Sequence, residues 1–462
     1  MATSLQTLDP GWAWSAWMPT AEQPWSRTTA AHLYRRLGFG ANWNELNESV
    51  EKGPQATLER LLQPGEAATA FDNRMETLAA SVLATNNAER LSAWWLYRMI
   101  GTPSQAREKL TLFWHGHFAT SAAKVEDSDM MLAQYRLLRK YALGSFRPLV
   151  QEISRDPAML MWLDSTVNRR SHPNENYARE LMELFCLGVG NYTERDIQEV
   201  ARAFTGWELR LGRFQFNRFY HDPRPKSFLG RTGPFDGDDA VRIVLDQPAA
   251  PRFLARKLFK YLVADEPELP ANLLEPLAQM IREFDFDMGR VVQTICRSNL
   301  FYSPHSVGRK IRSPVEFAVG LLRSLQGTTN VYRLAEGLKD LGQAVFYPPN
   351  VKGWDGGRTW INSSTLLGRA NLTQQLLRAE ETRFAGGKGL AEVFRSSGVD
   401  LEASGSGEQL IDHLTELLLA VPPSPAVRAS LIDLADQKIT PADKRLARVL
   451  HALCALPEYQ LG

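Results

Sequence analysis

The densest run of chemically capable side chains lies between Asp156 and Trp207, where NENYARELMELF carries Asn176, Arg179, Glu180 and Glu183. If Glu175 to Leu187 is a helix, Tyr177, Leu181, Leu184 and Phe185 form its apolar face. Asn176, Glu180 and Glu183 then follow at i, i+4 and i+7 on an adjacent polar face. Two carboxylates one turn apart can hold a cation or exchange a proton, provided they face a cavity. The competing reading is a solvated face on which Arg179 offsets Glu175 and Glu183.

His115 and His117, in WHGHF, are the next candidates. On a strand such a pair projects from one face and chelates a metal readily. In a regular helix the two are about 200° apart, so both reach one ion only if the helix breaks. Gly116 could supply that break. Without it, His117 joins the apolar stripe of Leu110, Phe113 and Trp114 as a hydrogen-bonded core residue. A third imidazole, His221 before Asp222, would complete a three-ligand site with His117 and Glu180. Alternatively Asp222 caps a turn before Pro223 and His221 bonds locally. The loop GWDGGRTWINSS adds Trp354, Asp355 and Arg358, aromatic faces beside polar forks that suit a sugar or planar substrate. Its structural alternative is a loop pinned by its tryptophans, with Asn362 or Ser363 capping the next helix.

Helices must position most of these groups. The stretch Thr29 to Leu62 reads as two helices broken at Gly38-Phe39-Gly40. Thr193 is a helix cap followed by Ile197, Val200, Ala201 and Phe204 at helical spacing, and Asp238-Asp239 reads as another cap. One segment breaks this rhythm. Apolar residues alternate at Trp207, Leu209 and Leu211 and again at Phe214 and Phe216, with Gly212 between, which predicts a β-hairpin. The fold class expected is mainly α: a large irregular helical domain with a small β-hairpin insertion near 207–230. A Trp-rich arm (1–28), a main domain (29–395) and a small C-terminal helical subdomain (396–462) are the expected units.

With 462 residues and 53 Lys+Arg against 52 Asp+Glu, the chain is large and nearly neutral. That balance removes the electrostatic footprint of a nucleic-acid binder. No apolar run approaches the roughly 18 residues of a membrane span. Three scattered cysteines give neither a disulfide framework nor a thiolate zinc site. The N-terminus lacks a secretory pattern, so a cytoplasmic location is expected, with export on a partner as the exception. GxxxxGK[ST], GxSxG, HExxH and GxGxxG are all absent, which removes the usual support for a nucleotide cofactor and for common hydrolase chemistry.

Five blocks taken together resemble a known set: HLYRRLGFG (32–40), FWHGHFAT (113–120), NENYARELMELFCLGVGNYTERDIQEVARAFTGW (174–207), HDPRPKSFLG (221–230) and PPNVKGWDGGRTWINSSTLLGRAN (348–371). They are similar to the bacterial family designated domain of unknown function 1800. The resemblance implies a polar site built from His115, His117, Asn174, Glu175, Asn176, Arg179, Glu180, Glu183, His221 and Asp222. It also implies a co-encoded, sulfatase-like partner. Many members have His where this chain has Phe185, which argues against a ligand there.

Two functions are therefore expected, from different classes. The first is a metal-dependent enzyme, hydrolytic or oxidative, using a divalent transition metal (Zn, Fe or Mn). Its ligands would be His117, His221 and Glu180 with His115 as alternate; Glu180 would otherwise be the base, Glu183 would support it, and Asn176 and Arg179 would orient substrate. The second is a non-catalytic binding or assembly protein that docks the sulfatase-like partner, its His and Glu residues forming a buried polar network. An open cavity at those residues favours the enzyme, and a closed, paired network favours the scaffold.

Overall fold

A computed structural model describes residues 4–399, 401, 406–437 and 439–462. The fold is mainly α, and strands are confined among the described residues to three small two-stranded antiparallel sheets. One hydrophobic cluster runs from Leu5 to Tyr459.

Gln105–His117 is the helix at the centre of the molecule. Leu110, Trp114, Glu108 and Lys109 are all fully buried, so its apolar and its charged residues face protein alike. It packs on Arg27–Leu37, Trp43–Leu62 and Ser128–Lys140. The Gly38–Gly40 break lies where expected: the first helix stops at Leu37 and the next begins at Trp43 behind an Asn42 cap.

Local chemistry explains the other boundaries. Thr193 and Asp196 form a reciprocal capping box at the start of Glu194–Ala203. Asn362 does the same with Thr365 before Ser363–Arg378. The cap expected at Asp238-Asp239 is one residue pair earlier, at Asp236. Its carboxylate accepts from both Asp238 and Asp239 N–H groups, leaving those two acids in the first turn.

The hairpin pairs Trp207–Arg210 with Arg213–Phe216, in register Trp207 to Phe216 and Arg210 to Arg213. Its two-residue turn is Leu211-Gly212, both at positive φ (50° and 72°), which matches the twist of the strands. A second small pair, Lys226–Phe228 with Arg231–Gly233, follows directly.

At the N-terminus Trp14 is buried and donates through Nε1 to the Leu273 carbonyl at 3.0 Å. Trp25 does the same to Ser49 at 2.8 Å. Near the C-terminus, Ser406–Leu418 packs on Arg27–Leu37, and Ala442–Cys454 packs on Ser363–Arg378. The junction expected near 396–408 includes residues 400 and 402–405, which lie outside the described residues.

Candidate functional site

The helix expected over 175–187 forms differently. Asn176–Glu180 is α-helical, but Leu181–Cys186 is a π-helix, so both the Leu187 and Gly188 N–H groups reach the Met182 carbonyl, at 2.8 and 3.0 Å. The wider winding ends the i, i+4, i+7 relation on which the shared polar face depended. Asn176 is exposed, while Glu180 and Glu183 are half-buried. Arg179 makes a two-pronged bond to Glu194 (2.7 and 2.8 Å) and a weaker one to Glu175. Glu183 accepts from the Tyr192 hydroxyl at 2.8 Å. The Glu180 carboxyl is raised by partial burial and by the charge of Glu183, against the pull of Arg179 and Lys352.

The histidines do not converge. The 105–117 helix continues without a break through Gly116, so His115 and His117 leave it on different sides. His115 accepts from the Phe346 N–H through Nε2 at 3.1 Å. That bond fixes its proton on Nδ1, and burial holds its pKa at about 3. His117 must donate through Nε2, because it faces the Phe185 carbonyl at 3.0 Å. It too is kept neutral, by burial and by the nearby Lys257 charge. His221 donates through Nδ1 to the Thr205 carbonyl at 2.9 Å, and Asp222 is clamped by Arg202 and Arg224. Those two guanidinium groups hold the Asp222 carboxyl far below its ordinary range. Among the described residues no group of three His, Cys, Asp or Glu side chains is placed to hold a metal ion. The expected ligand set is therefore not assembled, and His115, His117 and His221 each bond to a different backbone group.

Gly116 has a different use. The loop residue Gly353, at φ 78°, packs directly on the Gly116 backbone and so brings Lys352 and Trp354 over the helix. Between them opens a cavity of about 180 Å³, lined by His117, Lys257, Lys260, Tyr261, Lys352 and Trp354, with Asp265, Lys310 and Glu316 deeper along its wall. The helix Ala249–Leu262 supplies Lys257, Lys260 and Tyr261 from one face. Lys260 is tied to the Asp355 carbonyl at 3.2 Å, and Lys310 lies 3.7 Å from Asp265. Burial would raise the Glu316 carboxyl, but Lys109 and Lys310 hold it down, to about 2. Among the described residues neither Lys257 nor Lys352 has an ion pair. The Lys257 ammonium is pushed down by burial and then by Lys260. His117 Nδ1, buried in the same wall, has no hydrogen-bond partner.

The comparisons bear on this arrangement only at the level of family. The profile described as protein of unknown function (DUF1800) matches residues 32–461, which takes in the helix, the π-segment, the hairpin and the loop. The chain belongs to this family. No curated protein and no solved structure matches it.

Of the three loop residues expected to bind substrate, Trp354 and Asp355 line the cavity, whereas Arg358 lies outside it in an exposed pair with Glu266. Lys257, Lys260, Lys310 and Lys352 were not anticipated. KLFKY carries a visible signal, since Lys257, Lys260 and Tyr261 recur at i, i+3 and i+4. Lys310 and Lys352 carry none, because only the tertiary fold brings them near.

A larger cavity, about 230 Å³, lies between Ala88–Gly101 and Val331–Asp340. Glu89, Glu336 and Lys339 are its charged residues, and they do not give it one dominant sign. No helix of the described residues is long and apolar enough to cross a membrane.

Proposed function

We propose that the protein is a binding protein for a small organic anion, held in the cavity between the 105–117 helix, the 249–262 helix and the loop around Trp354. The observation that carries this is Lys257, a half-buried ammonium without a counter-ion, set beside Lys260 in a wall that also holds Lys352. Desolvating an unpaired cation is costly, and an anion entering the cavity relieves that cost. Trp354 and Tyr261 add flat apolar faces, which favour a ligand with a planar portion. A volume of about 180 Å³ suits a ligand the size of one aromatic ring with its charged group.

The metal-dependent alternative places His117, His221 and Glu180 on one ion, with His115 as alternate. His115 and His117 each give one ring nitrogen to a backbone group, and among the described residues no three His, Cys, Asp or Glu side chains are placed to hold an ion, which favours the binding class.

The test is thermal stability of the intact protein with benzoate, phenyl phosphate and inorganic phosphate. The aromatic anions should raise Tm in the native protein and lose that effect in Lys257→Met and Trp354→Ala. No shift with any of the three, or an equal shift in both variants, would remove this reading.

A second reading concerns a protein partner. Leu211, in the hairpin turn, and Phe219, just past the open end of the hairpin, are 95% and 83% exposed, apolar surface that suits docking of the sulfatase-like partner implied by the family. Co-purification of that partner with the native chain, and its loss in a Leu211→Lys/Phe219→Lys variant, would support it.

A further inference from the structure

Arg35 and Arg36 stand side by side near the end of the 27–37 helix, and both are at least nine-tenths buried (9% and 1% exposed). Among the described residues none of the three guanidinium nitrogens of Arg35 has a hydrogen-bond partner, and neither do Nε and Nη1 of Arg36. The remaining Arg36 nitrogen donates to the Ser306 carbonyl. Both arginines border a small space of about 10 Å³, whose other walls are Phe39, Lys310, Arg312, Glu316 and Gly462.

The neighbouring groups do not supply the missing acceptors. Glu316 is engaged by the Lys109 ammonium and by the Ser313 N–H at 2.7 Å. Asp265 accepts from the Ile311 N–H at 2.6 Å and faces Lys310. Arg312 is itself committed to the Leu461 and Leu418 carbonyls, at 2.9 and 2.6 Å. Four cationic side chains therefore line the space with one acidic side chain, Glu316, whose carboxylate is shared with a fifth cation, Lys109.

The buried guanidinium group of Arg98 is held differently. Arg98 is also 1% exposed, yet Glu108 accepts from its Nε at 2.7 Å and Asp72 takes Nη2. Arg35 has no such partner. A guanidinium parts with its proton only with great difficulty, so neutralisation is a poor escape.

We propose that this space is a binding site for a small inorganic anion of halide size, chloride in the cell, ligated by Arg35 and Arg36. Its small volume, about 10 Å³, favours a monatomic anion over phosphate and carboxylate ligands. Water fits the space but offers only two lone pairs against five unpartnered nitrogens. A halide accepts from several donors at once and supplies the missing charge. Burial, with the charges of Arg312 and Arg36, presses down the pKa of Arg35, which is the direction an anion would reverse. The site is separate from the Lys257 cavity, although Lys310 and Glu316 border both.

The experiment compares chloride with gluconate, which is too large to enter, at equal ionic strength in the intact protein. A saturable rise in Tm of about 3 °C is expected at a hundredfold excess over the chloride Kd. Crystals grown in bromide should give an anomalous peak beside Arg35 and Arg36, a measurement that needs no variant to fold. Arg35→Met should abolish the chloride dependence. Equal Tm in chloride and gluconate overturns the proposal, as does the absence of a bromide peak. A bromide peak without saturable stabilisation marks an adventitious ion only, and also overturns it. Full chloride dependence in Arg35→Met would place the effect elsewhere. Benzoate or phenyl phosphate binding at Lys257 is read independently, so either proposal can fail alone.

Discussion

A Cβ placed on Gly353 would stand 2.1 Å from the carbonyl oxygen of Gly116. No atom of that size fits there, and the φ of 78° at Gly353 is also unfavourable for any other residue. Gly353→Ala should therefore cost about 2 kcal/mol or more in stability. Its more telling effect is on the cavity, since Lys352 and Trp354 flank the displaced residue. Thermal melts with benzoate should show the anion response lost together with the Tm decrease. An alanine variant that keeps the native Tm and the native response would mean that this contact does not position the loop.

Glu108 should be among the least replaceable residues of the chain. It is fully buried and accepts from Arg98 (2.7 Å), Arg139 (2.6 Å), Trp95 (3.0 Å) and Tyr135 (2.9 Å). Burial would raise its carboxyl, but the two guanidinium charges win and lower it. Glu108→Gln leaves two arginines near an uncharged amide, so urea melts should show a loss of about 3–5 kcal/mol. A loss under 1 kcal/mol would show that Asp72 alone neutralises both arginines.

The imidazoles lead to a prediction about metals. His115, His117 and His221 bond to backbone groups of separate segments, and among the described residues no three His, Cys, Asp or Glu side chains are placed to hold a metal ion. Chelator-treated protein should therefore melt at the same temperature as untreated protein. Added Zn²⁺, Fe²⁺ or Mn²⁺ should not raise that temperature. A rise of several degrees with one stoichiometric ion would restore the metal-dependent reading and require these histidines to rearrange.

Much of this architecture was legible from local chemistry. The hairpin announced itself because Trp207 and Leu209 alternate up to Gly212, and only glycine-like backbone closes so tight a turn. Thr193 and Asn362 were readable as caps because a side-chain oxygen there satisfies N–H groups within three residues. The π-segment at Leu181–Cys186 was not readable, since α and π windings bury similar apolar residues over so short a run. The His and Glu side chains drew attention because their types suit chemistry, yet the histidines bond to backbone groups and Glu183 to the Tyr192 hydroxyl. The lysine cavity escaped because Lys257, Lys310 and Lys352 meet only after three separate segments pack. Arg35 and Arg36 are two basic residues in the last turn of a helix, a place where cations ordinarily interact with the helix dipole in solvent. Only their burial sets them apart.

Asp156 provides a pH signature with a definite sign. It is 5% exposed, and burial raises its pKa to about 7 despite hydrogen bonds from Gln134 (2.7 Å) and the Met159 N–H (3.0 Å). The folded state therefore binds a proton that the unfolded chain releases near pH 4. This contribution is fully present below about pH 4 and is lost as pH rises to about 7, at up to 1.4 kcal/mol per pH unit. Asn at this position keeps the oxygen that caps Pro157–Trp162 but cannot ionise. Asp156→Asn should thus be more stable than the native protein at pH 7.5 and close to it at pH 4. The buried His115, held at about 3, acts in the opposite direction below pH 6.5 in both proteins, so it cancels from their difference. Urea melts of the two proteins at both pH values give that difference directly. A gap that is constant with pH would show that Asp156 ionises at its ordinary pKa in the folded protein.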